Sequence, residues 1–549
     1  MANSVSRHSV RWPRRVVTLA ALLLAMGLAR QAPAHGLAER YDLPIPLWLY
    51  VVGSGMVVVL SFALLSVFVR HPRDRETYAR INLLRWRAGS ALAHPVLLLA
   101  ARSVSVALFA MVVAAGLVGQ QSPFKNIAPV MVWVIGWVGL SLASALLGDL
   151  WALINPWKIL FAWAERFYGL LRPGRSFRAL ARWPDWLGVW PAVVLFFVFA
   201  WMELAWAGRD RPRSLALAVL CYSAITLGGM LVFGRDPWLR SGEAFSVVFG
   251  LLARFAPTEV RVIDRAVCRS CDAEACREQT SDCVNCYTCY ARAPVSAREW
   301  NVRPPAVGLL SARPVRMSTL VVVLLMLCTV TFDGFTETPL WARLLELLAR
   351  VPTTPPAPSA PLLAGAAPRL VLSLALVACP LFILGVYGLF AWLMVQATVL
   401  TSGASWTSRP SDREPVTTGR LARHFVLTLL PIAIAYHVAH YLSFFLLAGQ
   451  LVIPLASDPF GLGWDLLGTA LHRIDVGLVD ARFIWYTAVS AIVTGHVVAV
   501  YLAHTTATRI FGNGLTAVRS QYPMLFLMVG YTMISLWILA QPVVGTGAR

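Results

Sequence analysis

Charge is the scarce ingredient of this 549-residue sequence: Asp, Glu, Lys and Arg make up only 13% of it, against 58% hydrophobic residues. An ordinary soluble domain carries about 25% charged residues, so this balance excludes a soluble globular chain of such length. Acidic residues are the scarcer sign, 27 against 47 basic ones, which leaves a formal charge of +20. That surplus raises nucleic acid as a partner. No basic motif interleaved with aromatics accompanies it, so nucleic-acid binding is not expected. Cysteine is scarce except in one place. Of nine, only Cys221, Cys328 and Cys379 stand elsewhere, inside apolar runs, where they read as inert packing residues.

Long apolar runs are what the chain has instead. A bilayer is crossed by roughly 20 apolar residues in a helix. Ten such stretches are expected near 46–69, 96–119, 129–148, 186–207, 214–234, 317–334, 369–396, 425–448, 483–503 and 523–544. The fold class is therefore an all-α polytopic membrane protein, with the lipid bilayer as its constant partner. Basic residues crowd alternate loops: Arg70, Arg73, Arg75, Arg80, Arg85 and Arg87 after the first span, and Lys158, Arg166, Arg172, Arg175, Arg178 and Arg182 after the third. Loop 120–128 has almost none. The positive-inside rule makes the basic set cytoplasmic.

The N-terminus agrees with that orientation. Arg11, Arg14 and Arg15 precede the apolar run 16–28, and Ala32-Pro33-Ala34 forms a small-residue cleavage site. Residues 1–34 thus read as a signal peptide, the alternative being an uncleaved first helix. Cleavage would leave His35 at a periplasmic or extracellular N-terminus. There its amine and imidazole could chelate copper. The mature chain divides into a first membrane half (35–234), a cytoplasmic loop (235–316) and a second membrane half (317–549).

An internal repeat marks the first half. Asn155-Pro156-Trp157 and Asp236-Pro237-Trp238 each follow a span, with Gly169-Leu170-Leu171 and Gly250-Leu251-Leu252 further on. Asn or Asp at an N-cap before Pro starts a helix well. Segments 155–171 and 236–254 are expected to lie on the membrane face, anchored by Trp157 and Trp238.

The central loop holds Cys268, Cys271, Cys276, Cys283, Cys286 and Cys289. A C-x2-C turn brings two thiolates to one metal, and a reducing compartment disfavours disulfides. Zinc would use four, such as Cys268, Cys271, Cys286 and Cys289. Iron–sulfur is the alternative: Cys283, Cys286 and Cys289 match the start of a ferredoxin run, although Ala293 stands in the fourth position before Pro294.

Ionisable groups inside spans are expensive and draw attention to function. His437 and His440 share one helix face, His496 lies at comparable depth in the next span, and Glu203 and Asp333 sit toward the same outer side. Three imidazoles with a carboxylate could bind a second metal and activate a water. Haem ligation by His437 and His496, with the thirteen-residue spacing of His424 and His437 resembling that of two-haem cytochromes b, and hydrogen bonding between helices are the competing readings. The helix count and repeat alone would also suit a transporter.

The run His35-Gly36, followed by Asp42-Leu43-Pro44-Ile45-Pro46-Leu47-Trp48-Leu49 leading into the first span, resembles the start of bacterial membrane proteins called fenitrothion hydrolases. The multi-span layout with a cysteine-rich loop is similar too. The resemblance implies a bacterial inner (plasma) membrane protein that hydrolyses an organophosphorus triester to a phenol and a dialkyl thiophosphate, with a second subunit. It assigns no catalytic residues. A membrane redox or metal-handling protein remains the other expectation.

Overall fold

The computed structural model describes residues 43–68, 78–173, 177–269, 271, 276, 283–311, 313–349, 360–402, 416–511 and 515–543. The signal segment, His35 with its expected copper, and nearly all of the Pro-rich stretch 352–361 lie outside these residues.

Among the described residues ten helices are long and apolar enough to cross a membrane, and the protein is an all-α polytopic membrane protein. They are α1 (Leu47–Phe68), α2 (Pro95–Val118), α3 (Ile127–Leu146), α4 (Asp185–Leu204), α5 (Pro212–Phe233), α6 (Met317–Thr336), α7 (Arg369–Thr398), α8 (Thr418–Ser457), α9 (Ala481–Phe511) and α10 (Leu515–Gln541). Expected and observed bounds differ most at α8, and clearly also at α9 and α10. The reason in α9 is a polar tail that hydropathy discounts. Thr505 and Thr508 hydroxyls donate back to the carbonyls of Tyr501 and His504, so buried hydroxyls are satisfied within the helix.

α6 is the hub. Its apolar window is 72% buried, against 6% for α2, whose side chains face outward as lipid-exposed ones do. α8 and α9 pack closely around Gly495. A Cβ there would lie 2.4 Å from the Ala435 Cβ and 2.7 Å from the Pro431 carbonyl oxygen. Small residues permit such close approach of membrane helices. Gly495→Ala is expected to destabilise the bundle by about 1–3 kcal/mol, the usual range for overpacking. Thermal unfolding in detergent checks this, and an unchanged midpoint would show that the contact yields freely.

The two repeat units differ from expectation. Asn155 does cap the helix Pro156–Leu171, accepting from the Lys158 N–H at 3.0 Å. The second unit begins at Arg235, with Gly234 at φ 88° before it, and breaks at Gly242. Asp236 is therefore no cap and instead pairs with Arg235 at 3.3 Å. Glu243 caps the following helix, Ala244–Leu252. Trp157 and Trp238 are buried, not interfacial. Trp157 donates to the Ser223 hydroxyl at 2.8 Å, and the Trp238 ring lies over Gly229, where a Cβ would come within 2.4 Å of it. Each indole faces the bundle, because α5 offers a hydroxyl or a notch at that place.

A small antiparallel sheet completes the fold, in the order β1-β4-β2-β3. β1 (Ile81–Asn82) comes from the loop after α1, whereas β2 (Thr258–Val262), β3 (Cys283–Val284) and β4 (Arg298–Val302) come from the segment between α5 and α6. Buried charges tie these together. Glu259 accepts from Arg303 at 3.0 Å, Arg80 at 2.8 Å and the Tyr78 hydroxyl at 2.6 Å.

Candidate metal centre and intramembrane site

The cysteines are placed by short turns rather than by long elements. Cys283 opens β3, and Cys286 precedes the helix Tyr287–Arg292, which carries Cys289. Between them Asn285 adopts φ 55°, a left-handed conformation that Asn tolerates better than most residues. Its amide N–H donates to the Val260 carbonyl at 2.8 Å, and its side-chain oxygen accepts from the Val260 N–H at 3.1 Å. This pins the cysteine turn to β2. The Cys271 N–H donates to the Cys268 carbonyl at 3.0 Å, which closes the first C-x2-C turn.

All six sulfurs converge. Cys276 lies 3.2 Å from Cys283 and 3.6 Å from Cys289, and Cys271 lies 3.9 Å from Cys286. Two sets of four have all their sulfurs within 4.8 Å of one another: Cys268, Cys276, Cys283 and Cys289; and Cys271, Cys276, Cys286 and Cys289. The expected quartet of Cys268, Cys271, Cys286 and Cys289 is not one of them. The pairs Cys268–Cys271 and Cys283–Cys286 instead send their two members to different sets, whereas Cys286 and Cys289 share the second. Hydrogen bonds from Cys276 and Cys283 hold the Cys286 thiol well below the usual range. Burial, with the neighbouring Cys271 and Cys286, pushes the Cys289 thiol well above it. Sulfurs this close share few negative charges among themselves, and a bound cation is what allows all of them to ionise. The cluster can therefore hold a metal ion.

The intramembrane residues gather only in part. The His440 Nε2 and an Asp333 carboxylate oxygen are 2.9 Å apart, so α8 and α6 are bridged by a hydrogen bond. The Tyr441 hydroxyl donates to the same Asp333 oxygen at 2.8 Å and lies 3.3 Å from Glu203 on α4. His437 faces another way, toward Trp137, with ring centroids 5.5 Å apart. A cavity of about 30 Å³ lies beside it, bordered by Trp137, Ser141, Glu203, His437 and Tyr441 among others. The Trp137 Nε1, the Ser141 hydroxyl and the His437 Nε2 are buried without a protein partner among the described residues. That volume suits one water, which those groups would bind. Trp137 belongs to a π-helical stretch of α3, Val130–Gly139, a winding that is rare and often accompanies functional sites.

His496 does not join the group. Its Nδ1 is 2.8 Å from the Ile492 carbonyl of its own helix, and its ring faces Tyr531 at 6.0 Å. Among the described residues the only sets of three or more metal-ligand side chains are the cysteines. The expected three-histidine ion site is thus not assembled. Cys328 and Cys379, read as inert, face each other across α6 and α7 with sulfurs 2.7 Å apart.

Two residues escaped the sequence reading. Tyr441 stands next to His440 and was legible as a hydroxyl at the same depth. Glu243, fully buried, was a carboxylate at the head of an apolar run. It accepts from the Trp151 indole at 3.1 Å, the Asn155 amide at 3.3 Å, the Tyr222 hydroxyl, and the N–H groups of Phe245 and Ser246. So many donors make it a structural keystone of the repeat.

No family model matches the chain, and neither a curated protein nor a solved structure matches it.

Proposed function

We propose that the chain is a bacterial inner-membrane metalloprotein whose cysteine domain, on the cytoplasmic side, holds a resident thiolate-bound metal. The observation that carries this is the convergence of six sulfurs into sets within 4.8 Å. A tetrahedral ion with bonds of about 2.3 Å to sulfur sets neighbouring sulfurs about 3.8 Å apart. The 3.2–3.9 Å separations suit single zinc or iron ions. A four-iron cluster gives each cysteine its own iron and spreads the sulfurs across the whole cluster, so it fits less well. Elemental analysis with an optical spectrum tests the reading. Zinc or iron that survives exhaustive desalting is expected, and protein that keeps its fold with no bound metal would end the proposal.

A second reading rests on the His440–Asp333 pair. A carboxylate that orients an imidazole is the arrangement of a general base, and Tyr441 could act as its acid partner. Together with the resemblance to fenitrothion hydrolases, this supports hydrolysis of an organophosphorus triester. The base would deprotonate a water that attacks phosphorus. The activity would have to be metal-independent at this place, or draw its metal from elsewhere. Purified protein is expected to release nitrophenol from a nitrophenyl triester, and His440→Ala to slow this by roughly 10²–10⁴-fold. An equal rate in a well-folded His440→Ala protein would remove His440 from the chemistry.

A further inference from the structure

We propose that the cysteine domain holds two divalent metal ions, bridged by the thiolates of Cys276 and Cys289. This rests on the metal reading above and deepens it.

The two sulfur quartets are not alternatives that compete for one ion. They have two members in common, Cys276 and Cys289, whose sulfurs are 3.6 Å apart. That distance is close to one edge of a tetrahedron built on metal–sulfur bonds of about 2.3 Å. Two tetrahedra that share this edge use all six cysteines. Cys268 and Cys283 complete the first ion's shell, and Cys271 and Cys286 complete the second's.

A single ion would leave two of the six thiols unused. If it took the first quartet, Cys271 and Cys286 would remain as two nearly buried thiols 3.9 Å apart with no role. If it took the second, Cys268 and Cys283 would be left over. The spacing of the sequence also suits bridging. In the turns Cys268-x2-Cys271 and Cys283-x2-Cys286 the first cysteine belongs to one ion and the second to the other, so both span the pair of ions, while the third turn joins Cys286 to the bridging Cys289. Charge points the same way. Six thiolates carry −6, and two divalent ions reduce this to −2, whereas one ion would leave −4 if all six were ionised. Soft thiolate ligands in closed tetrahedral shells select zinc most readily, with ferrous iron and cobalt as substitutes.

Metal content of the full-length protein in detergent decides the matter, measured as isolated and again after titration with Zn²⁺ and desalting. Two zinc per chain is expected. One per chain after saturation would overturn the binuclear inference and leave the metal reading standing, whereas none would overturn both. Three or four irons with acid-labile sulfide would also overturn it. Replacement with Co²⁺ supplies a second readout. Thiolate bridges couple the two cobalt spins, so the magnetic moment per cobalt should fall as the second equivalent binds. A constant moment would mean separate, unbridged ions. Substitution sharpens this: Cys271→Ser should reduce the content from two to one, and Cys276→Ser should lose both. Should Cys276→Ser fail to fold, the wild-type stoichiometry and the cobalt moment still decide.

Discussion

Stripping the metal with a strong chelator is expected to unfold the segment around 258–302 and to leave the ten-helix bundle folded. The reason is the composition of the domain's core. Among the described residues its buried members are Val262, Ala293, Ala297 and cysteines, with no large aliphatic or aromatic side chain fully buried. The strands run five residues at most. So small a unit cannot bury enough apolar surface to offset the entropy of ordering its chain. In zinc-finger peptides, metal binding supplies an apparent 10–16 kcal/mol or so, and this is folding free energy. Hydrogen exchange would follow the change residue by residue. The amides of Ile263 and Asn285, which donate to Ala297 and Val260, should lose protection, while those of α6 keep theirs. Equal protection before and after chelation would mean that the domain stands without metal.

Arg303→Met is expected to cost roughly 3–5 kcal/mol, the range for breaking a buried ion pair from one side. The Glu259 and Arg303 side chains are 0% and 1% exposed, so the carboxylate left behind would have only Arg80 and Tyr78 for compensation. Arg303 also donates to the carbonyls of Arg254 and Ala256, which would lose a partner. A partial rescue by Glu259→Gln in the same chain would locate the loss in the stranded charge. The pair also sets a pH dependence. Burial pushes the Glu259 carboxyl up, but the Tyr78 hydrogen bond and the charges of Arg303 and Arg80 outweigh it, and the net pKa lies below the ordinary 4.5. A depressed carboxylate contributes stability that is fully present above about pH 4.5 and is lost as pH falls through the folded-state value. Acid unfolding of the wild type should therefore be steeper below pH 4.5 than that of Glu259→Gln. Parallel acid limbs would contradict this origin.

The spans were legible because a bilayer leaves helices few ways to hide their backbone polar groups, so apolar length alone places them. The cysteine site was legible as a cluster but not as a partition. Spacing assigns each C-x2-C pair to one ion, yet the turn at Asn285 and the short helix after it aim Cys283 and Cys286 into different quartets. That depends on side-chain direction, which spacing does not carry. The histidines show the same limit from the other side. His437 and His440 do share a helix, but a three-residue step turns them far enough apart that one meets Asp333 and the other Trp137. Trp157 and Trp238 looked interfacial because of the charges beside them, and only the packing of α5 shows that they point inward.

The origin of β1 has a consequence in time. Ile81 pairs with Val302 and Asn82 with Asn301, partners made some 220 residues later. At 5–20 residues per second the ribosome needs about 10–45 s to cover that stretch. During this interval Tyr78 and Arg80 have no Glu259 to meet, and the first loop must stay on the side where the sheet will form. Four further spans, α2 to α5, are made before Cys289, the last cysteine of the cluster, leaves the ribosome. Closure of the sheet therefore comes late in biogenesis, and it fastens an early loop to a late one. A chain whose first span inserted backwards would carry Arg80 to the wrong side of the bilayer and could never close that sheet. The sheet thus closes only in chains whose first loop and central segment lie on the same side of the bilayer.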